Sequence, residues 1–333
     1  MTTYPPRRLW RLLALIACVF VALRLLAGLG ALRGAAARNG GFLVFNDVRA
    51  ALGSEKALSV DQIGRGVSRL TQAAELAPHN ESALRALGYL HLIAGDEAEA
   101  LAAWGRTTTV AAELLDKGQA AEEAGQPAEA LRWYEQATTI EPTLVEAWLR
   151  LGNRHEKDAN WAGAESTYAA GLEAVPYNGD LLIQLGRVRA RLASGDEWAA
   201  ILAITDLALA HDQYEHQWNR AQTHYLRGEA LRGLGRPLEA LAEYTTVLAN
   251  YPHDYEAALR RAEMYWATGG DPGTAEAFFQ SAASLDPESK WAYHYLGRFY
   301  EATDRPAEAR AAFERALQID PADPIALEWL GRH

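Results

Sequence analysis

The sequence predicts an all-α chain made of a tandem array of helical pairs, and three observations lead there. A block of residues recurs. Ala130, Tyr134, Ala137 and Pro142 return as Ala309, Phe313, Ala316 and Pro321, while Trp148, Leu151 and Gly152 return as Tyr293, Leu296 and Gly297. The recurrence has a period, because Pro142 and Pro176 stand 34 residues apart, as do Pro287 and Pro321. Self-similarity at such a spacing marks stacked supersecondary units, each unable to bury its apolar face alone. Finally, the apolar–polar alternation that a half-buried strand requires is nowhere sustained.

Each recurring residue type answers a packing problem. Gly152, Gly186 and Gly297 fall where a neighbouring helix must come close, and Ala130, Ala164, Ala240 and Ala309 are small for the same reason in the second helix. Tyr134, Tyr168, Tyr244 and Phe313 are expected to fill the space between that helix and the next repeat. The prolines follow the second helix and stop it, having no N–H and a fixed φ. Gly125 and Gly235 suit the turn inside a pair, with Pro127 and Pro237 at the next helix start.

In chain order, residues 1–33 read as a membrane anchor or signal peptide, 34–41 as a linker, and 42–80 as a degenerate N-terminal repeat or cap. Ser59, with Gln62 three residues on, forms a capping-box pattern. Residues 81–323 hold about seven repeats, starting near Glu81, Ala111, Val145, Gly179, Ala221, Tyr255 and Lys290. The repeat near Gly179 departs most: SGDEWAAILAITDLALAHDQYEHQW carries extra residues and no terminal proline, which predicts a longer helix or loop. Residues 324–333 start one more first helix and stop, as a capping helix would.

The order W-x2-L-G-x2-Y, then A-x3-F, then P, carried by the residues above, resembles the tetratricopeptide repeat from about Glu81 onward. The resemblance implies a right-handed α-solenoid that binds a protein or peptide in a concave groove lined by the first helices. Carried onto this chain, the groove positions are Arg85, Tyr89, Gln119, Asn153, Arg187, Arg191, Tyr225, Arg260, Trp266, Trp291, His294 and Arg298. Glu122, Glu156, Glu229 and Glu263 fall on the same face. Mixed aromatic and arginine residues are common in binding hot spots. Trp266 and Trp291 are expected to stack on a bound segment whose acidic groups pair with Arg260 and Arg298. The lysine–asparagine carboxylate clamp of chaperone-binding members is not implied, since Asn153 matches but Leu149 replaces the lysine.

Charge is divided unevenly. Residues 1–40 carry six arginines and no acid; with −11 overall, residues 41–333 carry −17. That balance argues against nucleic acid as a partner. Leu12–Leu32 is a run of 21 residues interrupted only by Arg24. As a helix it would measure about 31 Å, the thickness of the hydrocarbon core. Arg24 costs roughly 2.5–3.5 kcal/mol there, against twelve Leu, Ile, Val and Phe residues at up to about −0.5 kcal/mol each. The sum favours insertion into a lipid bilayer. A cleaved signal peptide competes, with Arg7, Arg8 and Arg11 as basic region and Ala35-Ala36-Ala37 as cleavage site, but the apolar run is longer than that needs. Arg7, Arg8 and Arg11 with the α-amino group slightly outweigh Arg33 and Arg38, placing the N-terminus inside and the repeats on the extracytoplasmic side.

Signals for chemistry are weak. The chain lacks a GxxxxGK[ST] loop, a GxSxG elbow and an HExxH motif. Cys18 is the only cysteine, which excludes a disulfide framework and any multi-cysteine metal site. His211, His216 and His224 cluster in sequence, yet their spacing does not share one helical face. No catalytic, cofactor-binding or metal-binding residue is therefore assigned, and the chain is not expected to be an enzyme. The expectation is a single-pass, bacterial-type scaffold of the cytoplasmic membrane, acting as an assembly factor or as a subunit of a larger membrane complex. Alternatives are a non-catalytic accessory to an envelope biosynthetic enzyme, or a secreted adaptor if the N-terminus is cleaved.

Overall fold

The computed structural model describes residues 59–192 and 197–332, with Arg33, Ala35 and Ala36. Leu12–Leu32, most of the linker and residues 42–58 lie outside the described residues. Among the described residues no helix is long and apolar enough to cross a membrane.

Sixteen helices account for the described structure, and one isolated bridge joins Asn178 to Gln213. Helix α1 (Val60–Leu76) precedes seven pairs. These are α2 (Glu81–Ala94) with α3 (Glu97–Trp104), α4 (Val110–Glu123) with α5 (Pro127–Ile140), and α6 (Val145–Lys157) with α7 (Trp161–Ala174). Next come α8 (Gly179–Leu192) with α9 (Trp198–His211), and α10 (Gln217–Gly233) with α11 (Pro237–Asn250). The last are α12 (Tyr255–Ala267) with α13 (Pro272–Leu285), and α14 (Lys290–Ala302) with α15 (Pro306–Ile319); α16 (Pro324–Arg332) follows. The fold is an all-α tetratricopeptide-type solenoid, without strands among the described residues.

Local chemistry sets the helix ends. Ser59 and Gln62 cap α1 reciprocally: the Gln62 N–H donates to Ser59 Oγ at 3.3 Å, and the Ser59 N–H donates to Gln62 Oε1 at 3.1 Å. Pro127, Pro237, Pro272 and Pro306 open second helices, where the missing N–H costs nothing. Among the described residues, the turn inside six of the pairs holds a left-handed residue. Gly125 is one, with φ 71°, but Ala159 occupies the same place at φ 56° and Asp304 at φ 58°.

The chain divides into two compact units, residues 1–147 and 148–333. In the first, Leu70, Ala73, Leu87 and Leu90 are buried between α1 and α2, and a second cluster holds Trp104, Val110 and Leu114. In the second, one cluster gathers Ile183, Ile201, Leu226 and Ala230, and a larger one Leu259, Phe279, Phe299, Phe313 and Trp329. Burying each Leu, Ile, Val or Phe side chain among them is worth about 1.5–3 kcal/mol.

Of the aromatics expected to fill the space toward the next repeat, Phe313 stacks on Trp329 of the following helix at 4.7 Å. Tyr134, Tyr168, Tyr244 and Phe313 each also pack on the glycine of their own repeat's first helix, a contact that the expectation did not include. A Cβ added to Gly152 would come within 2.2 Å of the Tyr168 ring, and one added to Gly297 within 2.7 Å of Phe313. Tyr168 is 0% exposed and Phe313 1%. The ring fills the volume that the absent side chain leaves, so glycine and aromatic work as one unit.

The irregular repeat is explained by a different tie. Its second helix, α9, has an ordinary 14 residues; the extra length is divided among the 193–197 stretch before it, the 212–216 connection after it and the 17-residue α10. The place that the aromatic takes in the other second helices is filled by Thr205, fully buried, and Gly186 is approached by Leu226 instead. Asp180, fully buried, accepts the Glu215 N–H at 2.9 Å and the Asn219 side-chain amide at 2.9 Å, while the Gly179 N–H donates to the Gln213 carbonyl. These bonds hold the connection that a proline ends in other repeats.

Candidate partner-binding groove

The packing glycine also fixes what the first helices present outward. Gln119, Asn153, Arg187 and Arg298 each follow one of these glycines, and all four are exposed. One residue on from the buried seam, such a side chain turns away from the partner helix.

In the first unit, Arg85 is exposed and lies 3.7 Å from Glu113, while Gln119 donates to Glu123 at 3.2 Å. Tyr89 is half-buried. Its hydroxyl donates to Glu113 at 2.8 Å and its ring stands edge-on to Trp104 at 5.0 Å. Burial, then the Glu113 carboxylate, push its phenol well above the ordinary range.

In the second unit, Glu156, Trp161, Arg187, Val188, Arg191 and Tyr225 line a depression between α6, α8 and α10. Tyr225 is half-buried, edge-on to Tyr244 at 5.7 Å. Asn153 and Glu156 both accept the Tyr168 hydroxyl, at 3.1 and 2.7 Å. The ring of Trp161 carries the Arg191 guanidinium at 4.3 Å. Trp161 opens a second helix and was not among the expected groove residues; the signal that points to it is Arg187 and Arg191 one turn apart on α8.

A second depression runs between α12 and α14. Tyr255, Glu256, Leu259, Arg260, Trp291 and Tyr295 line one part, and Glu263, Trp266, Phe279, Tyr295, Arg298 and Phe299 the next. Trp291 is 51% exposed at the rim, with the His294 ring perpendicular to it at 5.3 Å and the Lys290 ammonium over its face at 5.5 Å. Trp266 is half-buried and stands edge-on to Phe299 at 5.0 Å, so it contributes to the core as well as to the lining.

Two expected contacts are corrected here. Arg260 is not a free cation for an acidic ligand. Its guanidinium lies 3.2 Å from Glu229 and 2.9 Å from Glu263, and donates to the Tyr295 hydroxyl at 2.9 Å. Burial disfavours both charges, but the Arg232 hydrogen bond and Arg260 hold Glu229 below the usual carboxylate range, and the Glu229 charge raises Arg260. Moving Arg260 onto a ligand would break both ion pairs and leave Glu229 to Arg232 and the Tyr244 hydroxyl. His294 departs too: it is 3% exposed rather than groove-facing, with Nε2 3.0 Å from the Asp323 carboxylate at the start of α16. Asp323 in turn accepts the Ile325 and Ala326 N–H groups at 2.9 and 3.1 Å.

The three clustered histidines go to different partners. His211 stacks on Tyr177, His216 lies 3.5 Å from Asp180, and His224 lies 2.7 Å from Glu243. Asp180, Glu215 and His216 bring ligand-type atoms within 4.8 Å of one another, but both Asp180 oxygens already accept the hydrogen bonds that hold the 212–216 connection.

Family models described as tetratricopeptide repeat match residues 57–113, 111–153, 225–290 and 270–330. The chain belongs to the tetratricopeptide-repeat family. The unmatched stretch contains the irregular repeat, whose second helix lacks the aromatic and the proline. No curated protein sequence matches the chain. Among solved structures, the pilF protein of Pseudomonas aeruginosa is 13% identical, with a TM-score of 0.55 over 67% of this chain and 97% of that one. PilW, described as a widely conserved type IV pilus biogenesis factor, is 17% identical, with a TM-score of 0.57 over 67% of this chain and 99% of that one. The APC/C hetero-tetramer Cut9–Hcn1 gives 15% identity and a TM-score of 0.54 over 81% of this chain and 52% of that chain. At these identities the likeness is one of fold. A tetratricopeptide-repeat fold is a protein-interaction framework, and no enzyme family matches.

Proposed function

We propose that this tetratricopeptide-repeat protein is a membrane-anchored scaffold that recognises a segment of a protein partner on the first-helix face of its second unit. Leu12–Leu32 holds it in the cytoplasmic membrane with the repeats on the extracytoplasmic side, as an assembly factor or as a subunit of a larger complex. The observation that carries the interaction reading is Trp291. The repeat aromatics Tyr134, Tyr168, Tyr244, Phe279 and Phe313 are at most 2% exposed, whereas Trp291 stands 51% exposed beside a lined depression. An indole left in water at the rim of a cleft is the kind of anchor that partner surfaces cover. The anchor rests on the length and apolarity of Leu12–Leu32. Two solved structures of similar fold, one called a pilus biogenesis factor and one a hetero-tetramer subunit, accord with work on protein assemblies.

Crosslinking capture from membranes tests this, comparing the full chain with Trp291→Ala and with a chain lacking residues 1–40. Trp291→Ala should keep helicity and stability within about 1 kcal/mol, because so exposed a ring contributes little to folding, and should lose partner capture. Undiminished capture by the folded variant would place the binding surface elsewhere. N-terminal sequencing of the native protein separates anchor from signal peptide: a start at Arg38 would mean the segment is removed.

A further inference from the structure

We infer that the depression between α6, α8 and α10 takes an acidic stretch of the partner polypeptide. A carboxylate is held by Arg187 and Arg191, and a neighbouring apolar side chain lies against Tyr225, Leu226 and Val188. This rests on the groove reading above and names the chemistry of the segment that the groove selects.

The argument is one of charge left open. The second unit holds 18 Lys and Arg against 27 Asp and Glu, so carboxylates are in excess. Most of its cations are accordingly engaged. On α8 itself Arg189 lies 2.8 Å from Glu165; on α10 Arg227 lies 2.7 Å from Asp206 and Arg232 2.7 Å from Glu229; on α12 Arg260 is held by two carboxylates. Arg298, in the second depression, also has no carboxylate within ion-pair distance among the described residues; in the depression between α6, α8 and α10 the exceptions are Arg187 and Arg191, set together. Both are exposed, and among the described residues neither has a carboxylate within ion-pair distance. Arg187 donates to the neutral Gln184 amide oxygen at 2.6 Å, and Arg191 lies on Trp161. Set one turn apart on one helix, the two guanidinium groups repel each other mildly, which an anion between them would relieve.

The rest of the lining fits the same occupant. Glu156 shares the depression, but one of its oxygens accepts the Tyr168 hydroxyl at 2.7 Å, and Asn153 supports that bond from the same helix. Val188, Tyr225 and Leu226 supply apolar wall directly beside the arginines. Stacking on Trp161 restricts Arg191, so fewer of its rotamers are lost when it closes on a carboxylate. The wider negative charge of the unit does not prevent this, because charges beyond about 8 Å are largely screened at physiological salt.

The test is peptide display on the detergent-solubilised full chain, using a random library of short peptides. Peptides selected on the wild-type chain should be enriched in Asp and Glu next to Leu, Phe, Tyr or Trp. Their binding, read by fluorescence anisotropy, should weaken with added salt and fall at least about tenfold in R187Q/R191Q, the equivalent of one charge-assisted contact. R187K/R191K, which keeps charge but not the fork, should retain salt-sensitive binding at lower affinity. Circular dichroism should show both variants folded, since both side chains are exposed. Selection of neutral or basic peptides would overturn the inference, as would acidic peptides that bind R187Q/R191Q undiminished. If such peptides still lose binding on Trp291→Ala, the groove reading stands while the acidic one falls. No enrichment at all overturns both.

Discussion

Substituting Gly152 by alanine should destabilise the α6–α7 pair, and the size of the effect follows from the contact. The new methyl would start 2.2 Å from a carbon of the Tyr168 ring, which is fully buried and cannot step aside. Overpacking of this kind costs about 1–3 kcal/mol. Displacing the ring also weakens the bonds from its hydroxyl to Glu156 and Asn153, worth about 1 kcal/mol together with their geometry. Against this, alanine is the better helix former by about 0.8–1 kcal/mol. The net expectation is a loss of about 1–3 kcal/mol, localised to this repeat and its neighbours because the array is held by nearest-neighbour contacts. Hydrogen exchange resolved over α6 and α7 measures it, with urea unfolding followed by circular dichroism as the global readout. The decisive control is the same substitution in a Tyr168→Ala background. With the ring gone, Gly152→Ala should turn neutral or stabilising by up to about 1 kcal/mol. A loss of equal size in both backgrounds would refute the glycine–ring pairing.

Three further outcomes are expected. Ala159→Gly should stabilise the chain by about 0.5–1 kcal/mol, since Ala159 stands at φ 56° where glycine bears no Cβ strain; a drop in the urea midpoint would contradict this. Burial holds His294 below the ordinary imidazole value despite the pull of Asp323, so the unfolded chain takes up the proton more readily. The stability from this site is therefore full above about pH 6.5 and falls as the pH drops toward the lower folded value. Protection of α14–α16 from hydrogen exchange, corrected for intrinsic rates, should decrease over that window in the wild type and much less in His294→Gln; identical profiles would remove His294 as the cause. Glu229→Gln should cost about 3 kcal/mol or more by leaving Arg232 and Arg260 without their shared carboxylate, and an unchanged thermal midpoint would show that network to be inert.

What the sequence determined by itself is the repeating unit. Gly152 and Tyr168, Gly228 and Tyr244, Gly297 and Phe313 recur at one spacing because a single local contact, ring on bare backbone, is made again in each pair. Helix stops were equally readable, since proline and left-handed glycine act on their own stretch of backbone. The outward positions were legible only as a face. Periodicity says that Arg260, His294 and Arg187 lie on first helices, but not which charge each one meets. Arg260 finds Glu229 one repeat earlier and Tyr295 one repeat later, and His294 finds Asp323 at the start of the capping helix. Arg187 meets no carboxylate, and Arg191 settles on Trp161. Those outcomes depend on how adjacent pairs are rotated against each other. That rotation comes from packing of whole side-chain layers rather than from any local signal, so only the tertiary structure decided which arginines are locked and which stay open.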